Sequence, residues 1–211
     1  MRFQFYQYLC CFDGSIVDLM TSIDIYKSAI KFSVWDCAAI LVSSGDWKDS
    51  VKEVCITLEK KLKFRDDGTF VIVQFSDMEF IDDEDHDPET PLLDSITKAT
   101  MERIISLEQP DLVVFAGDLT ASARSKDPLQ SLRSAIAVAE EKRVPWAAVF
   151  GNHDSEGRIS RKRMHEEQLL HPYCVAKEDP LGMSGAGNYV LTVEDLSGKP
   201  AAALFFLDSG D

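Results

Sequence analysis

An α/β fold with a mostly parallel sheet is predicted by three observations. Three short apolar runs, Phe70–Phe75, Leu112–Phe115 and Trp146–Phe150, each carry almost no polar residue, as strands covered on both faces do. Stretches of helical spacing separate them. Each run stops at residues suited to metal binding or proton transfer: Ser76-Asp77-Met78-Glu79, Gly117-Asp118, and Gly151-Asn152-His153-Asp154. A strand–helix–strand–helix–strand order gives parallel pairing through crossovers. In such sheets the working residues lie beyond the carboxyl ends of the strands.

The elements follow in order. Ile56–Phe64 alternates like a strand, and Arg65–Thr69 contains Asp67-Gly68, a hairpin signal. Phe70–Phe75 is the first buried-type strand. Thr90-Pro91 is a cap and a first-turn proline, and opens a helix with Leu93, Ile96, Thr100, Ile104 and Leu107 on one face; Pro110 stops it. Leu112–Phe115 is the second strand. Asp127-Pro128 opens another helix, with Leu129, Leu132, Ile136 and Ala139 on one side. Trp146–Phe150 is the third strand. Arg161–Leu170 reads as a more exposed helix. Asn188–Glu194 and Ala201–Leu207 read as a hairpin about Ser197-Gly198.

Residues 1–54 contain apolar stretches, such as Val34–Val42, but no motif and no clear period. They read as an amino-terminal segment of unknown role: an added subdomain, an arm for a protein partner, or sequence foreign to the fold. Residues 55–211 form the recognisable domain.

Composition narrows the function. The net charge of -14 argues against a nucleic-acid surface, which needs basic patches, and suits cation binding. Residues 66–94 hold eleven Asp or Glu and no Lys or Arg. The centre, Asp82–Asp87, reads as a solvated loop; it lacks the glycine and terminal glutamate of an EF-hand. No apolar run reaches the length of a membrane span. Five cysteines without a paired spacing point to reduced thiols and a cytoplasmic setting.

The chemistry of the three ends is that of a cation site. A carboxylate at a strand end can bridge two divalent ions, and two such ions clamp an in-line displacement. Asp118 is the candidate bridge. Asp77 would hold one ion and Asn152 the other. His153 is placed to protonate a leaving oxygen, with Asp154 to orient its ring. Taken alone, Gly117-Asp118 or Asp77 would more often be a turn or a cap. Gly151–Asp154 has no apolar member directly after a buried strand, which packing does not explain.

With these motifs in this order, the chain resembles the calcineurin-like metallophosphoesterases. That family carries Asp-x-His, Gly-Asp, Gly-Asn-His-(Asp/Glu), then a later His and a Gly-His-x-His block. The wording Gln109–Asp118 and Leu207–Gly210 is similar to the subgroup related to purple acid phosphatases. The resemblance covers about residues 55–211, the front part of that domain. It implies an α/β/β/α sandwich of two mixed sheets, truncated before the second sheet is complete. Leu204–Leu207 would then lie near an open edge.

The resemblance implies hydrolysis of a phosphate ester by a metal-bridging hydroxide, with two divalent ions (Mn, Mg, Fe or Zn). The metal ligands would be Asp77, Glu79, Asp118 and Asn152, and His153 and Asp154 the catalytic pair. Glu79 stands where the family has a metal-binding histidine, which favours Mg or Mn over softer ions. Ala121 stands where the purple enzymes have tyrosine, so an iron-tyrosinate centre is not expected. The later histidines are absent, and His165 and His171 read as surface or packing residues. The resemblance therefore implies a fragment or truncated product of a phosphoesterase. The alternative is a catalytically inactive interaction protein on the same scaffold.

Overall fold

The computed structural model describes residues 1–10, 16–23, 30–33, 39–43, 61–82 and 90–210. Ten strands and four helices lie among them: β1 (Arg2–Cys10), β2 (Ile16–Ile23), β3 (Ile30–Ser33), β4 (Ala39–Ser43), β5 (Leu62–Lys63), β6 (Thr69–Ser76), α1 (Thr90–Glu108), β7 (Leu112–Ala116), α2 (Pro128–Glu141), β8 (Trp146–Val149), α3 (Asn152–Ser155), α4 (Arg161–Gln168), β9 (Tyr189–Glu194) and β10 (Pro200–Phe206). The first sheet has the order β2-β1-β6-β7-β8 and the second β3-β4-β10-β9-β5.

In the first sheet β1, β6, β7 and β8 run parallel, and β2 is the antiparallel edge. The three predicted strands are therefore neighbours, and their carboxyl ends open on one side. Alternation along β6 explains why its sequence is apolar over Phe70–Val73 and again at Phe75. Phe70 and Ile72 face the second sheet, joining Leu112 and Val114 in one core with Leu191, Val193 and Leu204. Val73 and Phe75 face the helices, in a second core with Met101, Ile105, Leu132 and Ile136. Helices, parallel sheet and second sheet are three layers of the expected sandwich among the described residues.

Several sequence expectations are corrected. Strands from before residue 54 enter both sheets: β1 and β2 the first, β3 and β4 the second. Phe3 and Phe5 are buried in the inter-sheet core, so β1 contributes to packing. The turn at Asp67-Gly68 forms, with Gly68 at φ 79 and its N–H bonded to the Arg65 carbonyl at 2.8 Å. It does not make a hairpin, because β5 pairs in parallel with β9 in the other sheet. Phe64 is held there by edge-on contacts with Phe3 at 5.0 Å and Phe70 at 5.8 Å. Residues 56–60 of the predicted strand, and His86 with most of the acidic loop, lie outside the described residues.

β10 is not an edge. It lies between β4 and β9, and its hairpin with β9 turns at Gly198 as expected. The face of α1 is also displaced. Leu93, Ile96 and Leu107 are exposed, and Thr97, Met101, Ile104 and Ile105 are buried. Asp94 takes the core-side place near the start, because its Oδ2 accepts the Asp82 N–H at 3.0 Å. Apolar spacing alone could not show that a carboxylate would occupy the inner face. α2 is capped as predicted, by Asp127 Oδ1 on the N–H groups of Leu129 and Gln130. α4 is less exposed than expected: Met164, His165, Glu167 and Gln168 are buried.

Candidate functional site

The three strand ends are laced together by main-chain hydrogen bonds that extend the sheet past its last residues. Asp77 donates to the Gly117 carbonyl at 3.2 Å, Glu79 to Asp118 at 2.9 Å and Phe80 to Leu119 at 2.9 Å. The segment after β7 is in turn tied to α3. Ser122 gives both its N–H and its hydroxyl to the His153 carbonyl, at 3.1 and 2.6 Å. Asp118 Oδ1 accepts the His153 N–H at 2.9 Å.

Two glycines allow this closeness. A Cβ on Gly151 would lie 2.2 Å from Asp118 Oδ1, and one on Gly117 would lie 3.2 Å from the Gly151 nitrogen. Gly117 also sits at φ 98, a conformation glycine adopts without a Cβ clash. Asp77, Glu79 and Asp118 all have positive φ, at 56°, 46° and 50°. Each such non-glycine residue costs on the order of 1–3 kcal/mol and is kept only where its surroundings fix it. Here the lacing bonds fix it, and the strain falls on the three carboxylates predicted to hold metal.

The structure brings Asp77, Glu79, Asp118, Asn152 and His153 to one edge. His153 Nδ1 is 2.8 Å from Glu156 Oε2, and its Nε2 is 4.0 Å from Glu79 Oε1. The second separation is an electrostatic approach rather than a hydrogen bond. Asn152 Nδ2 donates to Glu156 Oε1 at 3.4 Å. Glu156 is a site residue that sequence reasoning misses. Its signal is present all the same: it follows Asn152 by four residues and His153 by three, the spacing of a shared helical face.

Asp154 does not orient the imidazole. It is fully buried, and its Oδ2 accepts the Gly151 N–H at 2.9 Å. Its Oδ1 accepts the Thr120 N–H at 2.8 Å and the Thr120 hydroxyl at 3.2 Å. Asp154 thus clamps the turn after β8 to the segment after β7. Physically, a residue that follows His153 on a helical turn points its side chain elsewhere, whereas one three residues on can reach the ring.

Electrostatics mark the same group. Burial pushes the Glu79 carboxyl above its ordinary range; His153 opposes this, and the charges of Asp118 and Asp77 add to it. Burial likewise raises Asp118, against the His153 N–H bond and ring charge, with Asp77 and Glu156 adding repulsion. The bond to Glu156 raises His153, and Asp118 and Glu79 reinforce it against desolvation. Burial pushes Asp154 up to about 7, outweighing its three hydrogen bonds.

The donors suit a hard divalent cation in kind: carboxylates from Asp77, Glu79 and Asp118 and an amide oxygen from Asn152. As the side chains stand, no group of three or more His, Cys, Asp or Glu among the described residues is arranged to hold a metal. His165 and His171 are engaged elsewhere. His165 stacks on Tyr189 at 5.9 Å and bonds Gln168 through Nδ1 at 2.7 Å; His171 lies against Trp146 at 6.0 Å. No helix among the described residues is long and apolar enough to cross a membrane.

Comparison with known proteins places these motifs. The chain is 33% identical over 168 residues to the "Probable inactive purple acid phosphatase 29" of Arabidopsis thaliana, covering 72% of this chain and 43% of that protein. It is 36% identical to "Probable inactive purple acid phosphatase 28" of the same plant, covering 71% and 44%. It is 32% identical to "Phosphatase DCR2" of Saccharomyces cerevisiae, covering 71% and 28%. The chain spans less than half the length of these relatives. The family model for calcineurin-like phosphoesterases matches residues 70–210, a stretch that begins with β6 and takes in all three strand ends, and the chain belongs to that family.

Proposed function

We propose that the protein is a divalent-metal-dependent hydrolase of phosphate esters. The observation that carries this reading is the gathering of Asp77, Glu79 and Asp118, all at positive φ, at one sheet edge, where Asp118 and Glu79 meet His153. Like charges are gathered there at a cost in desolvation, which a cation would offset.

Calcineurin-like phosphoesterases usually bind two divalent metals. In this reading Asp77, Glu79, Asp118 and Asn152 would hold them, and the cations would supply charge neutralisation at the phosphoryl oxygens and lower the pKa of a nearby water. The all-oxygen donor set favours Mn or Mg. The chain's own residues do the rest. Glu156 engages His153 at Nδ1, so that Nε2 faces the carboxylates and can deliver a proton to the departing oxygen. Asp118 keeps His153 in register through its main-chain bond.

A second reading is favoured by one observation: Glu79 occupies the place of an expected histidine ligand and approaches His153 instead. It describes a catalytically inactive member that serves as an interaction protein, in line with the names of two relatives. A protein partner meeting residues 1–54 belongs to this reading. Hydrolysis of a chromogenic phosphate ester with Mn²⁺, compared between the wild type and Asp118→Asn, separates the two. The first predicts metal-dependent turnover that the substitution removes; the second predicts none in either.

A further inference from the structure

Glu156 touches both Asn152 and His153 by side chain. Its two oxygens are divided between them: Oε1 accepts Asn152 Nδ2 at 3.4 Å, and Oε2 meets His153 Nδ1 at 2.8 Å. Each of these partners has two chemically different ends. Asn152 can offer either its amide oxygen or its NH₂ group, and only the oxygen binds a cation. The imidazole can offer either ring nitrogen to the site. A carboxylate only accepts, so it captures the NH₂ end of Asn152 and one ring N–H of His153. The amide oxygen and Nε2 are left for the site. Nε2 is the nitrogen that approaches Glu79.

We propose that Glu156 is a positioning residue that sets the polarity of Asn152 and His153 together, turning the amide oxygen and Nε2 toward the strand-end carboxylates. Helical geometry makes this dual contact available, since Glu156 follows its partners by four and three residues at the end of α3. Its acidic neighbours are committed elsewhere: Asp154 to Gly151 and Thr120, and Asp118 Oδ1 to the His153 main chain. The functional consequence rests on the phosphoesterase reading above; the orientation itself does not.

The pair is partly exposed, with side-chain exposures of 40% for His153 and 46% for Glu156. Exposed pairs of this kind add little to folding stability. Removing Glu156 therefore separates orientation from folding. Partners of this sort behind metal ligands typically alter affinity or activity by about 10–100-fold.

The test is nitrogen NMR on the metal-free chain. The ring nitrogens of His153 and the side-chain NH₂ of Asn152 are followed in the wild type, Glu156→Ala and Glu156→Gln, with melting temperature as a control. In Glu156→Ala we expect the ring proton to leave Nδ1 for Nε2 and the Asn152 NH₂ to exchange faster with solvent, at an unchanged melting temperature. Glu156→Gln should keep the ring bond through its amide oxygen while its NH₂ group turns the Asn152 amide over. Mn²⁺ titration of the same proteins should then show about 10–100-fold weaker binding in both variants. Unchanged signals in Glu156→Ala, or a change at only one of the two residues, would overturn the proposal. If Glu156→Ala does not fold, an Asn152 signal in Glu156→Gln identical to the wild type overturns it instead. Absence of Mn²⁺-dependent hydrolysis in the wild type would refute the phosphoesterase reading, and the two metal-free signals would still decide the role of Glu156.

Discussion

Asp118 Oδ1 lies 2.9 Å from the main-chain nitrogen of His153, joining the end of β7 to the start of α3 through a residue expected to bind metal. The bond fixes the carboxylate against the main chain that carries the imidazole, so the spacing of the two groups does not depend on side-chain packing alone. It also explains the glycine between the third strand and His153, because any Cβ at position 151 would occupy the space of the Asp118 carboxylate.

Gly151→Ala is accordingly expected to destabilise the fold by about 1–3 kcal/mol, the usual cost of overpacking a fixed site. The added carbon would meet Asp118 Oδ1 and the Asp118 nitrogen, and the nitrogen is main chain that cannot swing away. Thermal unfolding checks this, with a melting temperature lower by roughly 2–12 °C. Asp118→Asn should melt close to the wild type, since its amide oxygen can still accept the His153 N–H.

Asp154→Asn is expected to cost about 1–3 kcal/mol, because its NH₂ group must face a main-chain donor at Gly151 or Thr120. It should also change the pH dependence. The Asp154 carboxyl is raised in the folded state from 3.8 to about 7, so between these values the native protein holds a proton that the unfolded chain has lost. Its contribution is full below pH 3.8 and falls as pH rises to about 7, by at most about 1.4 kcal/mol per pH unit. Denaturant unfolding across this window should show a shallower decline in the variant. An identical slope would mean that Asp154 is charged throughout.

Glu79→His should move cation preference toward softer ions, because it replaces a hard carboxylate with imidazole. Competition calorimetry with Mn²⁺ and Zn²⁺ is expected to show a gain for Zn²⁺ in the variant. The substitution also removes the carboxylate nearest His153 Nε2, so the imidazole should lose part of the support that holds its pKa up.

Tyr189→Phe should destabilise by about 0.5–1.5 kcal/mol, the net worth of one buried hydrogen bond. The phenol donates to the Ala148 carbonyl at 2.7 Å and so pins β9 of the second sheet to β8 of the first. The stack on Phe206 at 4.6 Å is kept in the variant, which limits the loss. Chemical denaturation measures it directly.

The parallel sheet and its three chemical ends are legible in the sequence because both leave local marks. Phe70–Phe75, Leu112–Phe115 and Trp146–Phe150 are apolar on both faces apart from Gln74, and polar residues follow them within three positions. What could not be read is tertiary. Nothing local tells that Arg2–Cys10 pairs beside β6, since long-range pairing has no short motif. Asp94 inverts the expected face of α1 through a bond to a residue twelve positions earlier. In the site, Asp77, Glu79, Asp118, Asn152 and His153 are visible as strand-end chemistry. The exchange of roles between Asp154 and Glu156 is marked only by helical spacing, which becomes readable once Asn152–Ser155 is seen to be a helix.

The most direct test of the central claim is Mn²⁺-dependent cleavage of a chromogenic phosphate ester by the protein and by Asp118→Asn. The predicted result is turnover that rises with Mn²⁺ in the wild type and is lost in a variant that folds normally. Turnover that ignores Mn²⁺, or that survives in Asp118→Asn, would contradict it.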